Sequence, residues 1–214
     1  MLSDYAAIKN GSYGKLMKAY YAKQDAEKLS GKGDTSQKLT LMKTSADSLK
    51  KSADALNDSS LWEKKKIKKK DEKTGEEIEV EDYDWDKITK AVKSFVEDYN
   101  DVVKEAGESN TKDVLRNASW MTGMTDKNSN MLAKIGITIG KGNKLELDED
   151  ALKQADISSL KTVFTGYNSF VSKISQKATG ISNAANRASA TYTNNGTYSK
   201  TDSLLTSSKI DEEV

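Results

Sequence analysis

Apolar residues recur at spacings of three and four along three segments of this chain, and this repeat constrains its fold more than any other feature. The first segment carries Leu39, Met42, Ala46, Leu49, Ala53 and Leu56. The second carries Trp85, Ile88, Val92, Phe95, Tyr99, Val102 and Ala106. The third carries Tyr167, Phe170, Ile174, Ala178, Ile181, Ala185, Ala188 and Tyr192. This spacing places each set on one face of an α-helix, so we expect long helices that bury these faces.

The chain of 214 residues contains no proline, so no predicted helix is interrupted by a residue that lacks a backbone N–H. Hydrophobic residues make up only 36% of the chain and charged residues 31%. A thin core with much surface favours an elongated body. We predict a mainly α fold, an elongated antiparallel helical bundle or coiled coil, with a small α+β subdomain and a charged β-hairpin.

Breaks in the repeat divide the chain into six predicted segments. In chain order these are N-terminal helices of the bundle (1–62), a charged hairpin insertion (63–86), a bundle helix (87–109), a small α+β subdomain (110–165), the C-terminal bundle helix (166–193) and a flexible tail (194–214). Within them, one long helix is expected from about Thr35 to Trp62, and Ser158 is expected to cap a short one. The tail prediction rests on a polar composition rich in Gly, Ser and Thr.

A run of lysines changes into a run of carboxylates at Thr74-Gly75. This pattern predicts a two-stranded hairpin in which opposite charges face each other. With a two-residue loop, Lys70 faces Glu79, whereas a three-residue loop shifts every pair by one. The other face of the hairpin is predicted to hold Ile67, Ile78 and Val80.

The chain contains no cysteine and no histidine, which excludes disulfides, thiolate nucleophiles and imidazole bases. Asp82, Asp84 and Asp86 have the spacing that opens a calcium loop, but the motif then fails. Lys87 stands where it needs glycine, and Lys93 stands where it needs a bidentate glutamate. We therefore interpret these acids as a helix start, and we predict no metal, no cofactor, no catalytic residue and no small-molecule substrate.

The formal net charge is +1, and the lysine run is compensated by neighbouring carboxylates. Since counterion release needs uncompensated cations, we expect no nucleic-acid partner. No stretch of 18 apolar residues occurs, and residues 1–10 lack the basic and apolar regions of a secretion signal. We expect no membrane partner and no cleavable signal peptide.

Three short patterns follow one another between Ile88 and Ala178. They are Phe-x-x-x-Tyr-Asn (Phe95, Tyr99, Asn100), Ile-Gly-Ile (Ile135, Gly136, Ile137) and Leu-x-Leu-Asp-Glu (Leu145, Leu147, Asp148, Glu149). In this order they resemble the C-terminal part of the flagellar hook-associated protein 2 family, the filament cap proteins. The charged hairpin stands where that family usually has long, mostly β domains, so the resemblance is to a shortened member.

This resemblance implies a structural protein with no catalytic residues to carry over. Proteins of this family are exported through the flagellar secretion apparatus and form a ring of subunits at the filament tip that helps flagellin to insert. We therefore expect an extracellular, non-enzymatic axial protein of the bacterial flagellum. It is expected to form a homo-oligomer through its long helices and to contact flagellin or hook-junction proteins.

The alternative is a cytoplasmic helical binding module or export chaperone, whose exposed seam holds one helix of a flagellar protein. The apolar repeat alone does not show whether these helix faces bind a partner helix, bind another subunit or form an ordinary core within the chain. The residues predicted to serve helix packing or an interface are Leu39, Met42, Leu49, Leu56, Trp85, Val92, Phe95, Tyr99, Phe170, Ile174 and Ile181. Trp62, Trp85 and Trp120 are expected to anchor helix ends.

Overall fold

A computed structural model describes residues 33–70 and 77–191 of the chain. The predicted helices before Ser30, the Thr74-Gly75 turn and the tail at 194–214 lie outside the described residues. Within the described residues the fold is mainly α, as predicted, with two small antiparallel sheets of two strands each. None of the helices in these two ranges combines the length and the apolar character needed to cross a membrane.

The long helices are joined by short connections. In chain order the elements are α1 (Ser36–Asn57), β1 (Lys65–Lys70), β2 (Glu77–Asp82), α2 (Trp85–Gly107), α3 (Lys112–Lys127), α4 (Ser129–Ala133), β3 (Ile137–Ile139), β4 (Leu145–Leu147), α5 (Glu149–Gln154), α6 (Ile157–Phe164) and α7 (Phe170–Thr191). Two 3₁₀ turns, Ser59–Trp62 and Lys141–Asn143, complete the set.

Capping residues explain where these helices begin. Two predicted helix bounds, one start and one end, are corrected by the structure. Asp84 caps α2 by accepting from the Lys87 N–H. The prediction that Ser158 caps a helix is wrong, because the carboxylate of Asp156 caps α6 by accepting from the Ser159 N–H. The prediction that one helix runs to Trp62 is also wrong, because α1 ends at Asn57 and a separate 3₁₀ turn follows.

Helix α1 lies between α2 and α7 and packs against both. The six repeat residues of α1 are its buried residues. The repeat of α2 is buried from Ile88 to Ala106, and that of α7 from Phe170 to Ala185. Tyr167, the first residue of the third repeat, is 83% exposed because it precedes α7.

Aromatic rings fill the space where α2, α6 and α7 meet the end of α1. The Trp62 ring stacks on the Phe164 ring with centroids 5.4 Å apart, and its Nε1 donates to the Leu56 carbonyl at 2.8 Å. Phe95 contacts Phe164 and Phe170 edge-on, at centroid distances of 6.5 and 6.3 Å. The core therefore connects the long helices to the short elements at 129–164.

The charged hairpin is present, but its register differs from the prediction. Lys70 lies opposite Glu77, not Glu79, so the pairing is shifted by two residues. A shift of two keeps every side chain on its predicted face, because the strand period is two. It also places Ile67 directly opposite Val80, so the apolar pair is matched across the strands.

Candidate assembly site

The residues predicted for helix packing or an interface lie in the contacts among α1, α2 and α7. Ten of them are buried, at 3% exposure or less: Leu39, Met42, Leu49, Leu56, Val92, Phe95, Tyr99, Phe170, Ile174 and Ile181. Trp85 is half-buried and meets Tyr83 edge-on at 6.3 Å. Trp120 is not a buried anchor, since it is 60% exposed on α3 with the Lys177 ammonium over its ring.

Tyr99 connects α2 to α3 through its hydroxyl. This hydroxyl donates to Thr125 Oγ1 at 2.9 Å within the core. Burial raises the pKa of the Tyr99 phenol far above its ordinary value, although the bond to Thr125 lowers it somewhat. The phenol therefore stays protonated and keeps its donor role at any physiological pH.

Asn100, the next residue of α2, connects this helix to β4. Its Nδ2 donates to the Leu145 carbonyl at 2.9 Å, and its Oδ1 accepts from the Leu145 N–H at 2.7 Å. A side-chain amide offers one donor and one acceptor side by side, as the backbone of a neighbouring strand does. Asn100 thus occupies one edge of β4, while β3 pairs with the other edge.

Gly136 lies where the chain passes close to the start of α5. Its φ is +79°, and a Cβ there would lie 2.6 Å from the Asp148 carbonyl oxygen. The Asp148 N–H donates to the Gly136 carbonyl at 2.8 Å. The Asp148 carboxylate accepts from the Asp150 and Ala151 N–H groups, both at 3.0 Å, and so caps α5. Only glycine fits this close approach.

The three sequence patterns therefore meet in space. Asn100 belongs to the first, Gly136 to the second, and Leu145 and Asp148 to the third. We call these four residues the motif junction. Its hydrogen bonds fasten the small sheet to α2 on one side and to α5 on the other.

A second polar anchor lies at the start of α1, around the carboxylate of Asp34. It accepts from the Ser109 hydroxyl at 2.7 Å and from the Asn110 N–H at 2.9 Å. It also accepts from the N–H and the hydroxyl of Thr111, at 2.9 and 2.7 Å. We call this cluster the Asp34 corner. It binds the start of α1 to the connection between α2 and α3, some 75 residues away.

The Asp34 corner favours the charged form of its carboxyl. Burial raises the pKa of Asp34, but the hydrogen bonds from Ser109, Asn110 and Thr111 outweigh it. The nearby Lys38 ammonium, 3.5 Å away, lowers the pKa of Asp34 further. The net pKa lies below the ordinary value of 3.8.

Two matched polar pairs connect α1 to α7. Ser182 donates to Asp47 at 2.7 Å, and Ser175 donates to Asp54 at 2.7 Å. The partners are seven residues apart on each helix and run in opposite order, so the two helices are antiparallel. Each aspartate also binds a lysine four residues before it on α1.

These polar anchors were not predicted from the sequence. The heptad spacing of Asp47 with Asp54, and of Ser175 with Ser182, was visible in the sequence and could have suggested paired helices. Asp34 offered no such signal, since it stands at the end of a loop and its partners are distant in the chain. Among the described residues, no group of three or more Asp and Glu side chains is arranged to hold a metal ion.

Comparison with known protein families finds a match in the second part of the chain. Residues 109–212 match the family described as the flagellar hook-associated protein 2 C-terminus. This match is consistent with a region that resembles the C-terminus of flagellar hook-associated protein 2. No curated protein and no solved structure matched the chain.

The matched region, residues 109–212, is bound to the preceding part of the chain at both anchors. Its first three residues are the donors of the Asp34 corner. Gly136, Leu145 and Asp148 of the motif junction lie within it, whereas Asn100 precedes it. The described part of this region therefore packs on α1 and α2 as one body.

Proposed function

We propose that this protein is a non-enzymatic axial protein of the bacterial flagellum that resembles the filament cap. It is exported, assembles with copies of itself and assists flagellin assembly outside the cell. The observation that carries this proposal is the match of residues 109–212 to the flagellar hook-associated protein 2 C-terminus. That family is structural, which supports a role in assembly rather than catalysis.

The packing of the long helices supports a mechanical role for the body of the protein. The apolar repeats of α1, α2 and α7 face one another inside one chain. We propose that they form an elongated antiparallel bundle, a rigid support to which the hairpin and the small subdomain are attached. The six segments predicted from the sequence remain our proposal for its domain organisation.

Contacts with other subunits, flagellin or hook-junction proteins then belong to exposed surfaces rather than to the repeats. The predicted packing residues are covered by their own chain. We therefore expect a substitution at one of them to affect assembly by destabilising the fold. The binding-module alternative needs an open seam for a partner helix. That surface of α1 is already occupied by α2 and α7, and this observation favours the axial protein.

The proposal is tested by following the chain in a flagellated bacterium that carries its gene. Cells, culture medium and sheared filaments are separated and probed for the protein, in strains with the flagellar export gate intact or deleted. We expect the protein in medium or filaments only when the gate is intact. Retention inside the cells of both strains would reject the axial role, and a one-to-one complex there with a flagellar protein would establish the chaperone.

A further inference from the structure

The charged hairpin has two open edges in the described part of the chain. Its sheet consists of β1 and β2 alone, and each strand pairs only with the other there. No described helix packs broadly against either strand. An unpaired strand edge exposes a row of backbone N–H and C=O groups that can pair with another strand.

The two edges carry opposite charges. Strand β1 reads KKIKKK, with five lysines, and β2 reads EIEVED, with four carboxylates. On one face Lys66 lies opposite Glu81 and Lys68 lies opposite Glu79. All four of these residues are exposed, so they remain accessible to a further strand.

Charge decides which strand can be added at each edge. Side chains directly opposite each other on neighbouring strands lie about 4.5–5.5 Å apart, close enough for opposite charges to stabilise and like charges to destabilise the pair. Two β1 edges would bring lysine against lysine, and two β2 edges would bring carboxylate against carboxylate. A β1 edge beside a β2 edge repeats the arrangement that each hairpin already has internally.

We propose that the hairpin is a self-assembly site at which the β1 edge of one subunit pairs with the β2 edge of a second copy of this chain. This inference rests on the self-assembly proposed above and assigns it to a surface. The apolar face supports it, because Ile78 is 41% exposed beside the half-buried Ile67 and Val80. Edge pairing would join these faces into a wider apolar surface.

This contact uses a different surface on each partner, so it is heterologous. A growing series keeps one free β1 edge at one end and one free β2 edge at the other until it closes. A heterologous contact produces a ring if the rotation closes and an open helical array if it does not. The same charges prevent the symmetric pairing that would end growth at a dimer.

A charge-swapped hairpin tests the proposal without unbalancing the fold. The variant carries Lys66→Glu, Lys68→Glu, Glu79→Lys and Glu81→Lys, so each chain still has opposite charges facing within its own hairpin. Its β1 edge is more acidic and its β2 edge more basic than in the natural protein. The matched control carries Lys90→Glu and Glu97→Lys, two exposed positions on α2, with unchanged net charge.

Natural and swapped proteins are labelled with different fluorophores, mixed, and examined by energy transfer and native mass spectrometry. We expect each protein to self-associate, but mixed neighbours joined through β1 and β2 to be about tenfold rarer than in random mixing, because this contact places like charges together. The control protein is expected to mix freely with the natural one.

Four outcomes separate this inference from the function on which it rests. Sorting of the two hairpins into separate assemblies supports edge pairing between β1 and β2. Free mixing of assemblies overturns the hairpin site and leaves self-assembly intact, and preferential mixing overturns it in favour of same-strand pairing. If all three proteins stay monomeric at every concentration, both the hairpin site and the proposed self-assembly are wrong.

Discussion

Single polar residues connect parts of this fold that are far apart in the sequence. Asn100 satisfies both backbone groups of Leu145 with one side-chain amide. Asp34 receives hydrogen bonds from four donors that lie on three consecutive residues. In both cases one short side chain accepts or donates several hydrogen bonds, so its loss removes them all at once.

Replacing Asp34 by asparagine should reveal a pH-dependent contribution to stability. The amide keeps one acceptor but turns a donor toward the N–H and hydroxyl groups of residues 109–111. At neutral pH we expect Asp34→Asn to lower the free energy of unfolding by about 1–3 kcal/mol. Asp101→Asn, at an exposed position of α2, is the matched control and should change it by less than about 0.5 kcal/mol.

The sign of the pH dependence follows from the lowered pKa of Asp34. A carboxyl with a lowered pKa stabilises the fold above its ordinary value of 3.8, and this contribution disappears as pH falls through the lowered folded value. The difference between natural protein and variant should therefore be full at pH 7 and shrink below pH 3.8. Urea unfolding at several pH values measures it, and a difference that is constant with pH contradicts the assignment.

At the scale of elements, two glycines with similar backbones have different surroundings. Gly136 and Gly142 have φ of +79° and +72°. A Cβ at Gly136 would meet the Asp148 carbonyl at 2.6 Å, whereas a Cβ at Gly142 has nothing within 4 Å. Substitutions at these two glycines therefore distinguish two contributions to the loss of stability: the left-handed backbone, and the close approach between the start of β3 and α5.

Gly142→Ala should lower the free energy of unfolding by about 1–2 kcal/mol, the cost of a left-handed backbone for alanine. Gly136→Ala should lower it by more, because the connection to α5 must also move away from the added methyl group. Urea unfolding of both variants provides the comparison. Equal losses would show that the contact with Asp148 adds nothing to the requirement for glycine.

The elements that the sequence predicted well depend on neighbours in the chain. The repeats of α1, α2 and α7 and the acidic start of α2 follow from spacing and side-chain chemistry within a few residues. Strand register was not predicted correctly, because a register shifted by two residues keeps every side chain on the same face. Glu77 and Glu79 carry the same charge, so local charges do not show which of them lies opposite Lys70. The Asp34 corner was missed for a related reason, since its donors lie far away in the sequence.

At the scale of the whole molecule, one apolar core in the described residues extends over the long helices and the short elements at 129–164. Leu49 and Leu41 occupy the same helix, but Leu49 is fully buried and Leu41 is 50% exposed. Leu49→Ala should lower the free energy of unfolding by about 2–5 kcal/mol through lost burial and a cavity. Leu41→Ala, the matched control, should change it by less than about 0.5 kcal/mol.

This comparison is made by urea unfolding of the full chain, followed by circular dichroism at 222 nm, a wavelength that reports roughly on helix content in this mainly α fold. Similar small losses for both variants would mean that α1 is not held by the core in solution. A large loss at Leu41 would mean that this position is covered by another surface.

The Asp34 corner also determines how the molecule bears mechanical load. A pull on the chain ahead of Gly33 reaches Asp34 before it reaches the first turn of α1. The four hydrogen bonds from residues 109–111 are then strained together, so separation of α1 from its first turn begins only after they break. Tension applied at that point is shared with the connection between α2 and α3, which makes the corner a tether for the whole helical body.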